Sequence, residues 1–308
     1  MNRIFLLSIL LLLSCNSGSR HDYNDTPVLG NVSIVVDESY QPLVGVELDT
    51  FMKLYKYATI RPEYLSEAET FRQLLRNDSV RVAIVSRQLT NDEKAEFDSQ
   101  KIIPRVTKVA VDAVAIVVHP DNKDTLITYQ TLSKMMRGEY LAWSELPNSK
   151  TRDSIRIVFD HNGSSSARYL QERFLGKADF PANCFAVKSN KAVIDYVAQN
   201  KGAVGVVGVN WISDREDPEV EAFLKKINVV QLTAPEDTMG KEFYSPCQAY
   251  IALKKYPLTR DVYVISREGR NGLGTGFASF FAGDPGQRIV RMSGLLPATM
   301  PVRIINIR

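Results

Sequence analysis

The sequence predicts an α/β fold in which short apolar strands alternate with amphipathic helices. Apolar, β-branched runs such as NVSIVV (31–36) and VAVDAVAIVV (109–118) have the length and composition of strands. Runs with apolar residues at three- and four-residue steps follow most of them, as on one face of a helix. This alternation is typical of α/β proteins with parallel-rich sheets.

The elements follow one another in a regular order. We predict strands at 31–36, 60–64, 82–85, 109–118, 155–159 and 203–209, and helices at 46–57, 66–75, 130–136, 167–174, 191–199 and 277–281. Ser66 has Glu69 three residues on, the spacing of a capping box. The long run 109–118 is expected to be an inner strand of a parallel sheet. The glycine-rich stretch 269–276 (GRNGLGTG) indicates a flexible turn before the helix at 277–281.

The N-terminus, MNRIFLLSILLLLSC, predicts a secretory signal in residues 1–15. Its apolar run from Ile4 to Leu13 is too short to span a membrane as a helix. The ending LLSC resembles a bacterial lipobox, in which Cys15 becomes the lipid-modified first residue. Residues 16–27 are polar and predict a tether. We therefore expect a lipoprotein held to a membrane through Cys15, located in the periplasm or the cell envelope.

Composition excludes several classes of function. The chain has 308 residues, 44% hydrophobic and 24% charged, which suits one large or two moderate soluble domains. A net charge of +3 without a dense basic run argues against a nucleic-acid partner. His21, His119 and His161 lack metal-site spacing, and we expect neither metal nor cofactor. Cys184 and Cys247 could pair in an oxidising compartment or be small buried residues.

The segment FDHNGSSSARYL (159–170) places three serines between a strand pattern and a helix pattern. One interpretation is that Ser164 or Ser165 simply caps the helix, a role that serine often fills. The other is that free backbone N–H groups, several hydroxyls and Arg168 converge on an anion. One cap needs one hydroxyl, so the run exceeds what capping requires.

Further polar loops follow other predicted strands. They are Asp37-Glu38-Ser39, Ser66-Glu67 and Ser86-Arg87, besides Asp160–Ser166. In open α/β sheets, ligands bind at the carboxyl ends of the strands, where the loops lead into helices. These loops are therefore the predicted ligand site.

Five segments, in order, resemble the phosphate ABC transporter substrate-binding proteins, the PstS-like periplasmic phosphate-binding family. They are HPDNKDTLITYQTLSKMMRGEYLAWSEL (119–146), FDHNGSSSARYLQERF (159–174), KAVIDYVAQNKGAVGVVGV (191–209), YPLTRDVYV (256–264) and FASFFAGDPGQRIVRMSGLLP (277–297). The resemblance runs from about residue 32 to residue 297. It implies a type II periplasmic-binding-protein fold, with two α/β lobes and an anion in the cleft between them.

In this sequence the resemblance implies lobe I at 28–108 plus 251–308 and lobe II at 109–250. The crossings between the lobes would be strands at 109–118 and 248–253. The implied function is to bind inorganic phosphate and deliver it to an ABC transporter permease, as a monomer and without enzymatic activity.

The family's phosphate loop, Ser-Gly-Thr, falls on Ser164-Ser165-Ser166 or one position later, and Arg168 matches an Arg that often follows. Asp160 stands where some members have Arg, and Ser86-Arg87 where some have Ser-Asp. Asp160, Glu38 and Asp37 offer carboxylates that could accept the proton of phosphate and disfavour sulfate, which has none. We expect Asp160, beside the serine run, to do so, and the alternative for Asp160 is an ordinary turn or cap role. The predicted phosphate-binding residues are Glu38, Ser39, Ser66, Ser86, Arg87, Asp160, Gly163, Ser164, Ser165, Ser166 and Arg168.

Two other functions stay open at this point. The same fold could serve an oxyanion-sensing signalling or partner-binding protein. Asp160, His161 and the serines also contain the residue types of a hydrolase triad. Neighbours in sequence rarely reach triad geometry, however, and no Gly-x-Ser-x-Gly elbow is present.

Overall fold

The computed structural model describes residues 25–147, 149–214 and 216–301. Its strands are β1 (Gly30–Asp37), β2 (Ala58–Leu65), β3 (Val80–Val85), β4 (Arg105–Val118), β5 (Leu126–Ile127), β6 (Arg156–Phe159), β7 (Cys184–Ala186), β8 (Ala203–Gly208), β9 (Asn228–Val229), β10 (Gln231–Leu232), β11 (Thr259–Ser266) and β12 (Leu296–Pro297). Its helices are α1 (Gln41–Leu54), α2 (Glu67–Arg76), α3 (Asn91–Ser99), α4 (Tyr129–Met136), α5 (Ser165–Phe174), α6 (Asn190–Gln199), α7 (Pro218–Leu224), α8 (Gln248–Ala252), α9 (Leu273–Ala282) and α10 (Asp284–Met292). The predicted α/β class is confirmed.

The strands form two connected groups in the order β2-β1-β3-β11-β4-β8-β6-β7. In the first group, β1 pairs in parallel with β2 and β3, so their carboxyl ends lie at the same edge. In the second group, β6 pairs in parallel with β7 and β8. We call the two groups, with their helices, the first and the second lobe.

Strand β4 belongs to both lobes. Its first part, to Ala113, pairs with β11, and its last part, from Val114, pairs with β8. Both pairings are antiparallel. β4 is therefore an inner strand, as expected, but the expectation that it belongs to a parallel sheet is wrong. An inner antiparallel strand is buried on both faces like a parallel one, and the apolar run is the same in both cases.

Each lobe has its own apolar core. In the first lobe, Phe51, Phe277 and Phe281 belong to a cluster on one side of the sheet. A second cluster in this lobe contains Phe71 and Phe97. The core of the second lobe contains Trp143 and the end of β4. Within the described part of the chain, no helix has the length and apolar character to cross a membrane.

The second crossing between the lobes differs from expectation. Gln248–Ala252 is helix α8, where a crossing strand was predicted at 248–253. The chain instead returns beside β4 just before β11, where Val114 donates its N–H to the carbonyl of Leu258 at 2.8 Å. The side chain of Tyr256 also donates to the carbonyl of Val114 at 2.8 Å. The exact lobe boundaries in the chain stay a prediction.

Three local details also depart from the sequence interpretation. Helix α9 already begins at Leu273, inside the stretch expected to be a flexible turn. Ser66 caps α2, but the side chain of Glu69 bonds to Gln73 and does not complete a capping box. The predicted tether ends earlier than residue 27, because Asp25 pairs with Arg81 and accepts the N–H of Leu273. The signal segment and Cys15 lie outside the described residues.

Candidate oxyanion-binding site

The polar loops of the two lobes meet at a buried position. The first lobe contributes Asp37, the last residue of β1, and Glu38 and Ser39, which follow it, and all three are buried. The second lobe contributes Ser164–Ser166, at the start of α5, which are buried as well. Burial of so many polar groups at a contact between lobes is costly unless they bind one another or a ligand.

The sequence left two roles open for the three serines, capping of the helix and binding of an anion, and the structure shows serines in positions for each. Ser164 is the helix cap, since its Oγ accepts the N–H of Ala167 at 3.1 Å. The Oγ atoms of Ser165 and Ser39 lie 3.2 Å apart, across the cleft. The Oγ of Ser165 accepts from Nη1 of Arg260 at 2.9 Å, and that of Ser166 does so at 3.3 Å. Capping therefore uses one hydroxyl, and the other two face the cleft.

Arg260, on β11, is a central residue that the sequence analysis missed. Its side chain is only 2% exposed, and its Nε donates to Oδ2 of Asp112 on β4 at 3.0 Å. Burial opposes its charge, but the neighbouring Tyr40, Asp112 and Asp37 raise its pKa, so it stays protonated. The available signal was Asp112, a charge inside an otherwise apolar strand, which needs a buried cation.

The side-chain amide of Asn190 links a carboxyl group of the first lobe to one of the second lobe. The Nδ2 of Asn190 donates to Oε2 of Glu38 at 2.6 Å and to Oδ2 of Asp160 at 3.3 Å. The backbone N–H of Asn190, the first residue of α6, also donates to Glu38, at 3.2 Å. Asn190 was not predicted, because it follows β7, whose short segment CFA gave no strand signal.

Burial makes these acids weak. It raises the pKa of Glu38 to about 7 and, with the nearby charge of Glu67, the pKa of Asp37 also to about 7. Burial likewise raises the pKa of Asp160. Around neutral pH Asp37 and Glu38 are therefore partly protonated, which lessens their repulsion of an anion.

On the other side of the cleft, Arg168 pairs with Glu67. Its Nε donates to Oε2 of Glu67 at 2.5 Å, and its Nη2 donates to Oγ of Ser86 at 2.8 Å. Glu67 also accepts the N–H and the hydroxyl of Ser86, at 2.9 and 2.6 Å. Burial would raise the pKa of Glu67, but Arg168 and these hydrogen bonds lower it, so this carboxylate is charged.

Two other predicted residues occupy less central positions. Arg87 donates to both carboxylate oxygens of Glu93 at 2.8 Å and stacks 3.6 Å from the ring centre of Phe71. Ser66 is half-buried, and its Oγ accepts the N–H of Glu69 at 3.4 Å. The roles of Arg87 and Ser66 in binding phosphate stay a prediction.

Gly163 forms the turn that brings the two lobes into contact. Its φ of +77° lies in the left-handed region that favours glycine. Its carbonyl accepts the N–H of Ala68, in the first turn of α2, at 3.2 Å. A β-carbon at this position would lie 3.1 Å from the β-carbon of Ala68. Only a residue without a side chain suits this turn and this close approach.

In the described part of the chain, His161, the two cysteines and the possible metal ligands form neither a catalytic triad, nor a disulfide, nor a metal site. The carbonyl of His161 accepts the N–H of Ser164, but among the described residues its imidazole makes no hydrogen bond to Asp160 or to the serines, so no triad is assembled. Cys184 is half-buried, Cys247 is exposed, and both are free thiols in this part of the chain. Across the described ranges, no cluster of three or more metal-binding side chains is present.

Several buried polar atoms around Arg260 have no hydrogen-bond partner among the described residues. They are Nη2 of Arg260, Oδ2 of Asp37, Oδ1 of Asp112, Oδ1 of Asp160, Oη of Tyr40 and Oδ1 of Asn210. An oxyanion offers acceptors for the arginine and for hydroxyls, and a protonated one also offers a donor to a carboxylate. The arrangement is suited to binding a small, partly protonated oxyanion.

Comparison with known proteins gives one family. The model of the PBP superfamily domain matches residues 22–285. The phosphate-binding protein PstS of Borreliella burgdorferi is 23% identical over 305 residues, which are 95% of this chain and 96% of that relative. The PstS of Pseudomonas aeruginosa is 22% identical over 90% of this chain and 85% of its own.

Solved structures show the same fold. A protein of Clostridium perfringens, described as a phosphate ABC transporter substrate-binding protein with bound phosphate, superposes with a TM-score of 0.73 at 19% identity. The superposition covers 87% of this chain and all of the other, 100%. The expected two-lobed periplasmic-binding fold is confirmed.

Proposed function

Because the chain belongs to the PBP superfamily, we propose that it binds inorganic phosphate between its lobes and delivers it to an ABC transporter permease. The observation that carries the proposal is the convergence of Ser39, Ser165 and Ser166 on a buried arginine, Arg260. Two relatives that match almost the whole chain are phosphate-binding proteins. The protein then acts as a monomeric binding protein and not as an enzyme.

Phosphate loses its hydration in such a site, so it needs many donors at once. Nη2 of Arg260 lies 3.0 Å from Oδ2 of Asp112 but makes no hydrogen bond among the described residues, and the serine hydroxyls can rotate toward a ligand. The first backbone N–H groups of α5 lie at the positive end of the helix dipole, so they favour a negatively charged ligand. Together these groups can replace water around a tetrahedral anion.

Titration calorimetry with phosphate, arsenate, sulfate and a phosphonate tests the proposal directly. We expect tight phosphate binding and at least about 100-fold weaker sulfate binding, which corresponds to about 2.7 kcal/mol. The reason is that ionised or hydrogen-bond-accepting carboxyl groups repel an anion that has no proton to donate. Sulfate binding as tight as phosphate binding would contradict the proposal.

Asp160 carries the selectivity in this proposal. Its Oδ1 is buried and unpartnered among the described residues, and Nδ2 of Asn190 holds its other oxygen. Asp160→Asn should weaken phosphate binding and narrow the preference over sulfate, because an amide nitrogen cannot accept the ligand's proton. An Asp160→Asn variant with unchanged selectivity would assign the role to another carboxyl group, such as Asp37.

Membrane anchoring through Cys15 is a separate part of the proposal. Cys15→Ser should release the protein from the membrane fraction of the cells that make it, and Ser14→Ala serves as the control. Retention of the Cys15→Ser protein on the membrane would contradict lipid anchoring. Phosphate binding by the soluble body should be the same in both variants.

A further inference from the structure

Glu67 binds hydrogen-bond donors that the sequence predicts to bind phosphate. Its carboxylate accepts the N–H and the hydroxyl of Ser86 and two guanidinium N–H groups of Arg168. Ser86 and Arg168 were both predicted from the sequence to bind phosphate. The Glu67 side chain is 2% exposed, so these contacts lie inside the cleft. A carboxylate with this set of donors occupies them as an oxyanion would.

From this geometry we infer that Glu67 is an internal anion of the site, which an external oxyanion must displace in order to use Ser86 and Arg168. The inference rests on the proposed function and deepens it. It makes Glu67 a residue that lowers affinity and sets specificity, although no sequence pattern marked it as such.

The charges of the cleft support this assignment. Glu67 stays ionised because Arg168 and Ser86 stabilise its charge, so protonation does not remove it from the site. Asp37 is close enough for the charge of Glu67 to raise its pKa. An incoming anion therefore meets a fixed negative charge, and displacing that charge costs part of its binding free energy.

Glu67 also joins the two lobes. It lies at the start of α2 in the first lobe, whereas Arg168 lies on α5 in the second. The ion pair acts beside the hydrogen bond between Ala68 and Gly163. Displacement of Glu67 by a ligand thus replaces one interlobe contact by another, in which the ligand bridges Ser86 and Arg168.

The test is calorimetric titration of phosphate into the wild-type chain, Glu67→Ala and Glu67→Gln. We expect Glu67→Ala to bind phosphate about tenfold or more tightly than wild type, because Ser86 and Arg168 become available. Glu67→Gln should change affinity in the same direction but less, since its amide oxygen still accepts from Ser86. Glu67→Gln also keeps the test usable if the alanine variant does not fold.

Glu69→Ala is the matched control. It removes one carboxylate from the same first turn of α2, but its partners are Gln73 and Arg72, outside the cleft. We expect its phosphate affinity to stay within about twofold of wild type. The gain from Glu67→Ala should also disappear in the double variant Glu67→Ala/Arg168→Ala, because it depends on the released guanidinium.

The outcomes separate the two proposals. If wild type binds phosphate and Glu67→Ala binds it equally or more weakly, the role of Glu67 is wrong and the proposed function stands. If only the Glu67 variants bind phosphate, the role of Glu67 is supported and the proposed function of the natural chain is wrong. If neither binds phosphate, both are wrong.

Discussion

Two arginines serve the same cleft and differ in what their nitrogens contact. Nε, Nη1 and Nη2 of Arg168 all donate to protein acceptors, and two of these acceptors are carboxylates. Arg260 gives Nε to Asp112 and Nη1 to two serines, and its Nη2 lies 3.0 Å from Oδ2 of Asp112 in the ion pair but makes no hydrogen bond among the described residues. Every nitrogen of Arg168 thus donates to the protein, while Nη2 of Arg260 makes no hydrogen bond among the described residues and has N–H groups to offer to a ligand.

Each arginine pairs with one buried carboxylate, and the difference lies in its other partners, which are serine hydroxyls for Arg260 and a second carboxylate, Glu172, besides Ser86 for Arg168. Serine hydroxyls can turn from Arg260 toward an anion, because each hydroxyl is both donor and acceptor. A carboxylate such as Glu67 can only compete with the anion for the same donors. We accordingly place most of the phosphate affinity on the Arg260 side of the cleft and the limit on affinity on the Arg168 side.

The largest expected effect comes from the Arg260 side. Arg260→Lys should weaken phosphate binding by about 100-fold or more, or about 2.7 kcal/mol, measured by calorimetry. Lysine keeps the charge that Asp112 needs, but it lacks the planar fork that reaches Asp112, the serines and a ligand at once. Arg260→Ala is less informative, since it leaves Asp112 buried without a cation and is expected to destabilise the fold by about 3–5 kcal/mol.

Arg267→Lys is the control for this prediction. Arg267 follows β11 and is buried too, but it donates to the carbonyls of Leu74 and Asn77, away from the cleft. Its substitution should lower stability without changing phosphate affinity. If Arg260→Lys and Arg267→Lys alter the affinity equally, the comparison between the two sides of the cleft is wrong.

Much of the fold could be predicted because its strands and helices have strong local patterns. The run at 31–36 lies within β1, and the pattern at 191–199 matches α6 apart from its first residue. The loops of the site were predictable as well, because parallel strands put their carboxyl ends at one edge. The pairing direction of β4 was not, since an apolar strand pattern is the same in either direction.

Arg260 and Glu67 show what the sequence could not reveal. Arg260 lies 95 residues from Ser165 in the chain, and only the return of β11 beside β4 brings them together. Glu67 was noted as part of a polar loop, but its partner Arg168 is 101 residues away, on the other lobe. Local pattern identifies polar residues in loops, and tertiary contacts decide which of them are free to bind.

The second prediction concerns pH and the buried carboxyl group of Asp37. The charges of Glu67 and Asp160 raise the pKa of Asp37 beyond the effect of burial, Arg260 opposes them, and the result is about 7. Asp37 therefore loses its proton progressively across the neutral range, and its negative charge grows as the pH rises. From about pH 6 to about pH 8, the affinity of wild type for phosphate should fall about tenfold more than that of Asp37→Asn.

The comparison with Asp37→Asn is needed because phosphate itself changes protonation over this range, and that contribution is the same for both proteins. Affinity should be measured by calorimetry in buffers of matched ionic strength. Parallel pH profiles of wild type and Asp37→Asn would show that Asp37 does not meet the ligand. The negative charge that opposes phosphate would then be that of Glu67, beside Arg168.

The smallest expected effect separates two adjacent serines. Ser165→Ala removes the hydroxyl that contacts both Arg260 and Ser39, and should weaken phosphate binding about five- to tenfold with little change in stability. Ser164→Ala removes the cap of α5 and should lower the free energy of unfolding by about 1 kcal/mol, with affinity within about twofold. Urea unfolding and calorimetry on both variants measure the two quantities. If Ser164→Ala costs more affinity than Ser165→Ala, the helix start binds the ligand through the capping serine, and the hydroxyls beside Arg260 serve only to hold that arginine in place.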